Sequence, residues 1–150
     1  MEPMKSESTV PAYSVRDTLR NLGLRPTRQR IAVARLLLNG GNRHVTAEDV
    51  YREAQMAGVS LAYTTVYNIL HQFTEVGLVR EVIVESGKTW FDTNVGPHMH
   101  VFNERTGEIR DLDVDPARLN LLRQLDIPED VEIKDVDVII RVGQKTSPHQ

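Results

Sequence analysis

At 150 residues the chain is long enough for one domain or two small ones, and its 40% apolar content supports a packed core, with no run of 18 apolar residues to cross a bilayer. Cysteine is absent, which excludes disulfides, cysteine-based zinc sites and thiol nucleophiles, so any metal must be held by His, Asp and Glu. The net charge of −3 hides an asymmetry: residues 1–93 hold 11 Lys and Arg against 10 Asp and Glu, and residues 94–150 hold 7 against 11.

The N-terminus lacks the apolar stretch of a secretory signal, so a cytoplasmic protein is expected. Residues 1–13 contain Pro3 and Pro11 without periodicity and read as a mobile arm. Ser14 is placed to cap a short helix over Val15 to Leu22, stopped by Gly23. Pro26 is placed to start a second helix, where its missing N–H costs nothing, running to Gly40-Gly41. This region is strongly basic: Arg16, Arg20, Arg25, Arg28, Arg30 and Arg35 face only Asp17. Thr46-x-x-Asp49 has the form of a capping box for a third helix, with Ala47, Val50, Tyr51 and Ala54 on one face. A fourth helix repeats that spacing at Val66, Ile69, Leu70 and Phe73 and is closed by Gly77.

The pattern then changes period. Val79 to Val84 and Lys88 to Thr93 read as strands joined by Ser86-Gly87. Asn94 to Pro97 is a hinge signal. Beyond it, His98–Phe102 and Glu108–Leu112 read as strands, Asp115-Pro116 as the start of a helix with Leu119, Leu122 and Leu125 on one face, and Val131 to Val142 as a final strand. A helix followed directly by a β-hairpin is the second half of a winged helix-turn-helix. The fold expected is therefore α+β: an N-terminal winged helix-turn-helix over residues 14–93, a hinge at 94–97, a small C-terminal α/β dimerisation domain at 98–143, and a tail at 144–150. A unit of about fifty residues buries too little surface to stand alone comfortably, so a homodimer is expected. Two copies also suit a helix-turn-helix that reads two half-sites of double-stranded DNA.

On that frame, Thr64, Thr65, Tyr67 and Asn68 are placed to face base edges from the fourth helix. Arg28, Arg30 and the wing residue Lys88 are candidates for phosphates, although Arg30 is also placed to be a structural ion-pair partner and Tyr67 to be a half-buried core aromatic. His98 and His100, two apart on a predicted strand, face the same way and suit one cation; nitrogen and carboxylate ligands suit Mn, Fe or Zn alike. The same pair is also placed to supply haem axial ligands.

Five segments occur in order: Gly23-Leu24-Arg25-Pro26-Thr27-Arg28-Gln29-Arg30, His44-Val45-Thr46-Ala47-Glu48-Asp49-Val50-Tyr51, Thr65-Val66-Tyr67-Asn68-Ile69-Leu70, Gly87-Lys88-Thr89-Trp90-Phe91-Asp92 and His98-Met99-His100. Together they resemble the Fur (ferric uptake regulator) family of bacterial metal-responsive DNA-binding regulators, over residues 14–142. The resemblance is greatest to the Irr (iron response regulator) branch, which is linked to haem. Asn68 follows the Val-Tyr pair where typical Fur proteins have Arg, and no CxxC zinc motifs are present. The resemblance implies that Tyr67 contacts DNA and that Arg25 takes the place of a groove-contacting Lys. It also implies a metal site of His44, Asp92, His98, His100 and Asp111, with Asp at two positions where the family usually has Glu. A second family metal site looks lost, since Pro97 and Met99 replace two of its ligands.

The function expected is an iron-, metal- or haem-responsive repressor of iron homeostasis genes on a roughly palindromic A·T-rich operator. The alternatives are a metal-dependent hydrolase using His98 and His100, or a metal-buffering adaptor module. Against an enzyme, the chain has no Gly-rich phosphate loop after a strand and no nucleophile elbow.

Overall fold

The structure, a computed structural model, describes residues 12–146 apart from 86 and 121, so most of the expected arm and part of the tail lie outside the described residues. It divides into two compact units, residues 1–95 and 96–150.

The first unit opens with α1 (Ala12–Asn21), whose Val15 and Leu19 are buried. Helix α1 begins before Ser14, so Ser14 is not its cap. Helix α2 (Arg28–Leu38) starts two residues later than expected: Thr27, not Pro26, sets its first turn, its hydroxyl accepting from the Arg30 amide at 3.2 Å. Thr27 offers an acceptor for the exposed first-turn N–H groups, which Pro26 cannot. Helix α3 (Ala47–Met56) carries the expected capping box in both directions, Asp49 N to Thr46 Oγ1 at 3.2 Å and Thr46 N to Asp49 Oδ2 at 3.0 Å. Helix α4 (Tyr63–Glu75) ends where Gly77 takes φ +78°, and the Leu78 amide returns to the Phe73 carbonyl at 2.9 Å.

The three strands of this unit are β1 (His44–Val45), β2 (Arg80–Glu85) and β3 (Lys88–Asp92), antiparallel in the order β1-β3-β2. Strands β2 and β3 are the expected wing. Strand β1 was not expected; the sequence places His44 ahead of the Thr46 cap, where a two-residue pairing leaves no periodicity to read. Its register sets His44 opposite Asp92. The core joins Leu19 of α1, Val33 and Leu37 of α2, Val50 of α3, Phe73 of α4 and Phe91 of β3, all inaccessible to solvent. The apolar stripe of α4 is spent on that core, which leaves its other face outward.

The second unit holds β4 (Met99–Asn103), β5 (Ile109–Leu112) and β6 (Ile139–Val142) in the order β5-β4-β6, with β4 antiparallel to β5 and parallel to β6. Two expectations fail here. The leucine-faced helix is instead a pair of short 3₁₀ turns, Pro116–Leu119 and Leu122–Gln124. Asn120 adopts φ +55° and breaks the run, and Leu119 and Leu125 stay 42% and 56% exposed. A ten-residue helix without a surface to bury its stripe against is marginal in water. The final strand covers only the last third of Val131–Val142, because only Ile139–Val142 pair with β4.

Candidate metal centre and DNA-reading surface

Each unit builds one His/Asp arrangement by the same device, a cross-strand pair. In the first unit, His44 and Asp92 are partners in the β1–β3 register, and His44 Nε2 lies 3.2 Å from Asp92 Oδ2. Asp92 is wholly buried, and its other oxygen accepts the Asn94 amide at 2.9 Å. A buried carboxylate needs a charged or strongly donating partner to offset its lost hydration.

The strand that carries His44 is held from three sides by the preceding residue. The Arg43 amide donates to Thr93 Oγ1 at 2.7 Å, and the Thr93 amide returns to the Arg43 carbonyl at 3.0 Å. The Arg43 guanidinium donates to the Leu36 carbonyl at 2.7 Å and forks onto both oxygens of Glu53, with Oε2 at 3.0 Å. Its hydrogen bond to Glu53 holds the Arg43 pKa above the usual guanidinium value against the opposing effect of burial. The sequence showed no signal for this latch beyond the identities of the residues.

In the second unit, His100 and Asp111 are partners in the β4–β5 register. His98, just before β4, lies on the same side as His100, as the two-residue period requires. Both imidazoles are 1% exposed, with their Nε2 atoms 3.0 Å apart. Asp111 Oδ1 lies 3.3 Å from His98 Nε2 and 3.5 Å from His100 Nε2. His98 Nδ1 sits 2.6 Å from the Gly96 carbonyl, which has only lone pairs to offer, so that nitrogen carries the proton. In the neutral ring Nε2 then presents a lone pair toward His100 and Asp111. A metal-binding histidine is fixed in this way by a backbone carbonyl behind it.

These residues fit a divalent cation. An ion with ligand bonds of about 2.0–2.1 Å has neighbouring ligand atoms separated by roughly 3.0–3.4 Å; His98 lies within that range of both His100 and Asp111, and the 3.5 Å from His100 to Asp111 is just beyond it. The donor set is nitrogen and carboxylate oxygen, suited to Mn, Fe or Zn. A single haem iron takes its two axial ligands from opposite faces of the ring, whereas the Nε2 atoms of His98 and His100 lie 3.0 Å apart on one side of the chain. Met99 points the other way and is buried at 4% exposure, a packing residue.

The outward face of α4 carries the expected DNA-facing residues. Thr64, Tyr67 and Asn68 are exposed and Thr65 is half-buried. Tyr67 is 42% exposed, so it is a surface aromatic rather than a core one. It is braced by Tyr63, stacked at 6.5 Å, and by His71, edge-on at 4.4 Å. Tyr63 was not singled out from the sequence, yet it is equally exposed and lies one turn back, which its i, i+4 spacing could have shown. Arg25 and Arg28 are exposed. Arg30 is committed inside the unit, with Nε donating to Gln72 Oε1 at 3.1 Å and NH1 to the Arg25 carbonyl at 3.0 Å. It bolts the start of α2 to α4 through hydrogen bonds and, among the described residues, makes no ion pair. Lys88 on the wing holds its ammonium 4.7 Å above the Trp90 ring.

Comparison with known proteins places this architecture. The model of the ferric uptake regulator family matches residues 21–141. A ferric uptake regulation protein of Cupriavidus metallidurans is 32% identical over 110 residues, covering 71% of this chain and 77% of the relative. The peroxide-responsive repressor PerR of Staphylococcus aureus is 32% identical over 108 residues, covering 72% and 71%. The structure of the ferric uptake regulator from Pseudomonas aeruginosa with manganese superposes with a TM-score of 0.69 at 29% identity, over 87% of this chain and 97% of that one. The α+β fold is thus that of an N-terminal winged-helix DNA-binding domain with a C-terminal dimerisation domain. Among the described residues no helix is long and apolar enough to cross a membrane. The chain belongs to the ferric uptake regulator family, whose members are metal-responsive DNA-binding transcription regulators rather than enzymes.

Proposed function

We propose that this chain is a homodimeric repressor of iron homeostasis genes whose hold on an A·T-rich palindromic operator depends on one divalent ion per chain. The observation that carries the proposal is the convergence of His98, His100 and Asp111 through buried cross-strand geometry. His44 and Asp92 would complete the ligand set, five donors from two units on either side of the hinge. Occupancy would then be coupled to the placement of the reading helices, because ion binding and the arrangement of the two units bias each other. The Tyr67 and Asn68 side chains would contact base edges, with Thr64 and Thr65 beside them. Arg25, Arg28 and Lys88 would take backbone phosphates or line the groove, while Arg30 would act through its bond to Gln72.

The homodimer is supported by the apolar residues left exposed on the second unit, among them Leu112, Ile133, Ile140 and Val142. Kinship with the Irr branch rests on Asn68 and the absent cysteine pairs; the relatives with printed names are ferric uptake and peroxide-responsive regulators. Convergence of the two imidazoles favours a bare divalent ion over haem as the ligand of this site.

A gel-shift series on sheared genomic DNA, with Mn²⁺, with chelator and with haemin, tests the proposal. Retention that requires Mn²⁺ supports it. Retention indifferent to metal but weakened by haemin would transfer the sensing role to haem. No retention of any DNA at low salt would end the regulator proposal, and substrate turnover lost in His98→Ala would favour a hydrolase.

A further inference from the structure

Beyond Arg28, already placed toward DNA, the first unit has a cleft of about 870 Å³ between α1, α2 and the turn that leads into α4. Its walls carry Arg16, Arg28 and Arg35, with Gly58 and Ser60 of the turn opposite. All three arginines are exposed, and among the described residues none forms an ion pair. Helix α2 has no acidic residue, and the single acid of α1, Asp17, lies 3.7 Å from Arg20. Three guanidinium groups therefore line one open cleft without a carboxylate among its lining residues. Such like charges repel one another until an anion joins them, and a guanidinium fork matches phosphate oxygens geometrically.

Two features point to an extended polyanion rather than a small one. Arg28 and Arg35 lie two helical turns apart on one face of α2, roughly 10 Å along the axis. A DNA strand presents one phosphate per about 3.4 Å of duplex axis, so this row spans more than one phosphate. The turn that forms the far wall also runs straight into the N-terminus of α4, so the cleft ends where the reading helix begins. We infer, resting on the DNA-binding function proposed above, that the Arg16/Arg28/Arg35 cleft is a second backbone clamp, which holds the phosphodiester strand flanking the groove that α4 enters. It adds affinity without adding sequence preference.

The test uses the full chain and a random-sequence 30-bp duplex, followed by fluorescence anisotropy between 50 and 200 mM NaCl. Each arginine that neutralises a phosphate contributes about 0.9 to the slope of log K against log salt. The variant Arg16→Ala/Arg35→Ala, which leaves Arg28 in place, is expected to lose between one and two such increments. The corresponding Arg16→Lys/Arg35→Lys variant, which keeps the charges, is expected to retain most of the slope. Circular dichroism melting checks that the alanine variant folds. An unchanged slope in a folded alanine variant overturns the clamp, including the case in which calorimetry shows pyrophosphate binding that the variant loses, which would assign the cleft to a small anion. A wild type without duplex affinity at 50 mM removes the DNA-binding function and the clamp together, whereas a wild type that binds alongside an unchanged variant slope removes the clamp alone.

Discussion

Replacing Arg43 by alanine removes the three hydrogen bonds that its side chain makes in the first unit. Two backbone bonds to Thr93 survive, since they do not involve the side chain. The fork onto Glu53 and the bond to the Leu36 carbonyl are lost. The Arg43 and Glu53 side chains are 27% and 34% exposed, so the pair lies between a surface ion pair, worth about 0–1 kcal/mol, and a buried charged hydrogen bond, worth about 1.5–3 kcal/mol. A value of about 1–1.5 kcal/mol allows for solvent screening. The cation near the C-terminal carbonyls of α2 adds about 0.5 kcal/mol. The total, about 2 kcal/mol, corresponds to a fall in Tm of roughly 4–8 °C for a chain of this size. The assay is thermal unfolding followed by circular dichroism in the presence of a chelator, so that metal plays no part. Because the folded-state pKa of Arg43 is raised, its contribution is fully present below the ordinary guanidinium pKa and is lost only as pH rises through the higher folded value. The difference from wild type should therefore not diminish between pH 7 and pH 9 through Arg43 titration. An Arg43→Ala protein that melts within 1 °C of wild type would refute this account of the latch.

Other consequences are independent of that one. Thr46→Ala removes half of the α3 capping box and should cost about 1 kcal/mol, read as a lower urea midpoint at unchanged m. Asn68→Ala should weaken operator binding by about 1–3 kcal/mol while leaving affinity for random duplex nearly unchanged, if it reads a base edge; equal loss on both DNAs would make it a phosphate contact. In wild type, Mn²⁺ at one hundred times its Kd should add about 2.7 kcal/mol of stability, or roughly 5–10 °C in Tm. That metal-induced shift should vanish in His100→Ala. Comparing each protein with and without metal cancels the cost of the cavity that the substitution leaves.

The helices and the wing were legible because their signals are local: the Thr46/Asp49 box, the Val66-Ile69-Leu70-Phe73 stripe and Gly77 each act within a few residues. The pairing of His98 with His100 was legible for the same reason, as it needs only the two-residue period of a strand. Strand β1 was not, since His44 meets Asp92 across 48 residues of chain and two residues carry no periodicity. Nor was the Arg43–Glu53 latch, which is a meeting of two elements rather than a motif. The leucine stripe after Pro116 misled because spacing reports which residues would share a face, not whether there is anything for that face to bury against; Leu119 and Leu125 remain exposed. The alternation of Val131–Val142 likewise promises a strand only where a partner edge exists, and β4 supplies one for Ile139–Val142 alone.

The proposed ion would be shared by His44 and Asp92 of the first unit and His98, His100 and Asp111 of the second. Calorimetric titration of the metal-free protein with Mn²⁺, done for wild type, His44→Ala and His100→Ala, decides whether it is. A single site per chain is expected, lost in His100→Ala and weakened at least tenfold in His44→Ala. Undiminished affinity and stoichiometry in His44→Ala would contradict it, and would leave His98, His100 and Asp111 as a site confined to the second unit.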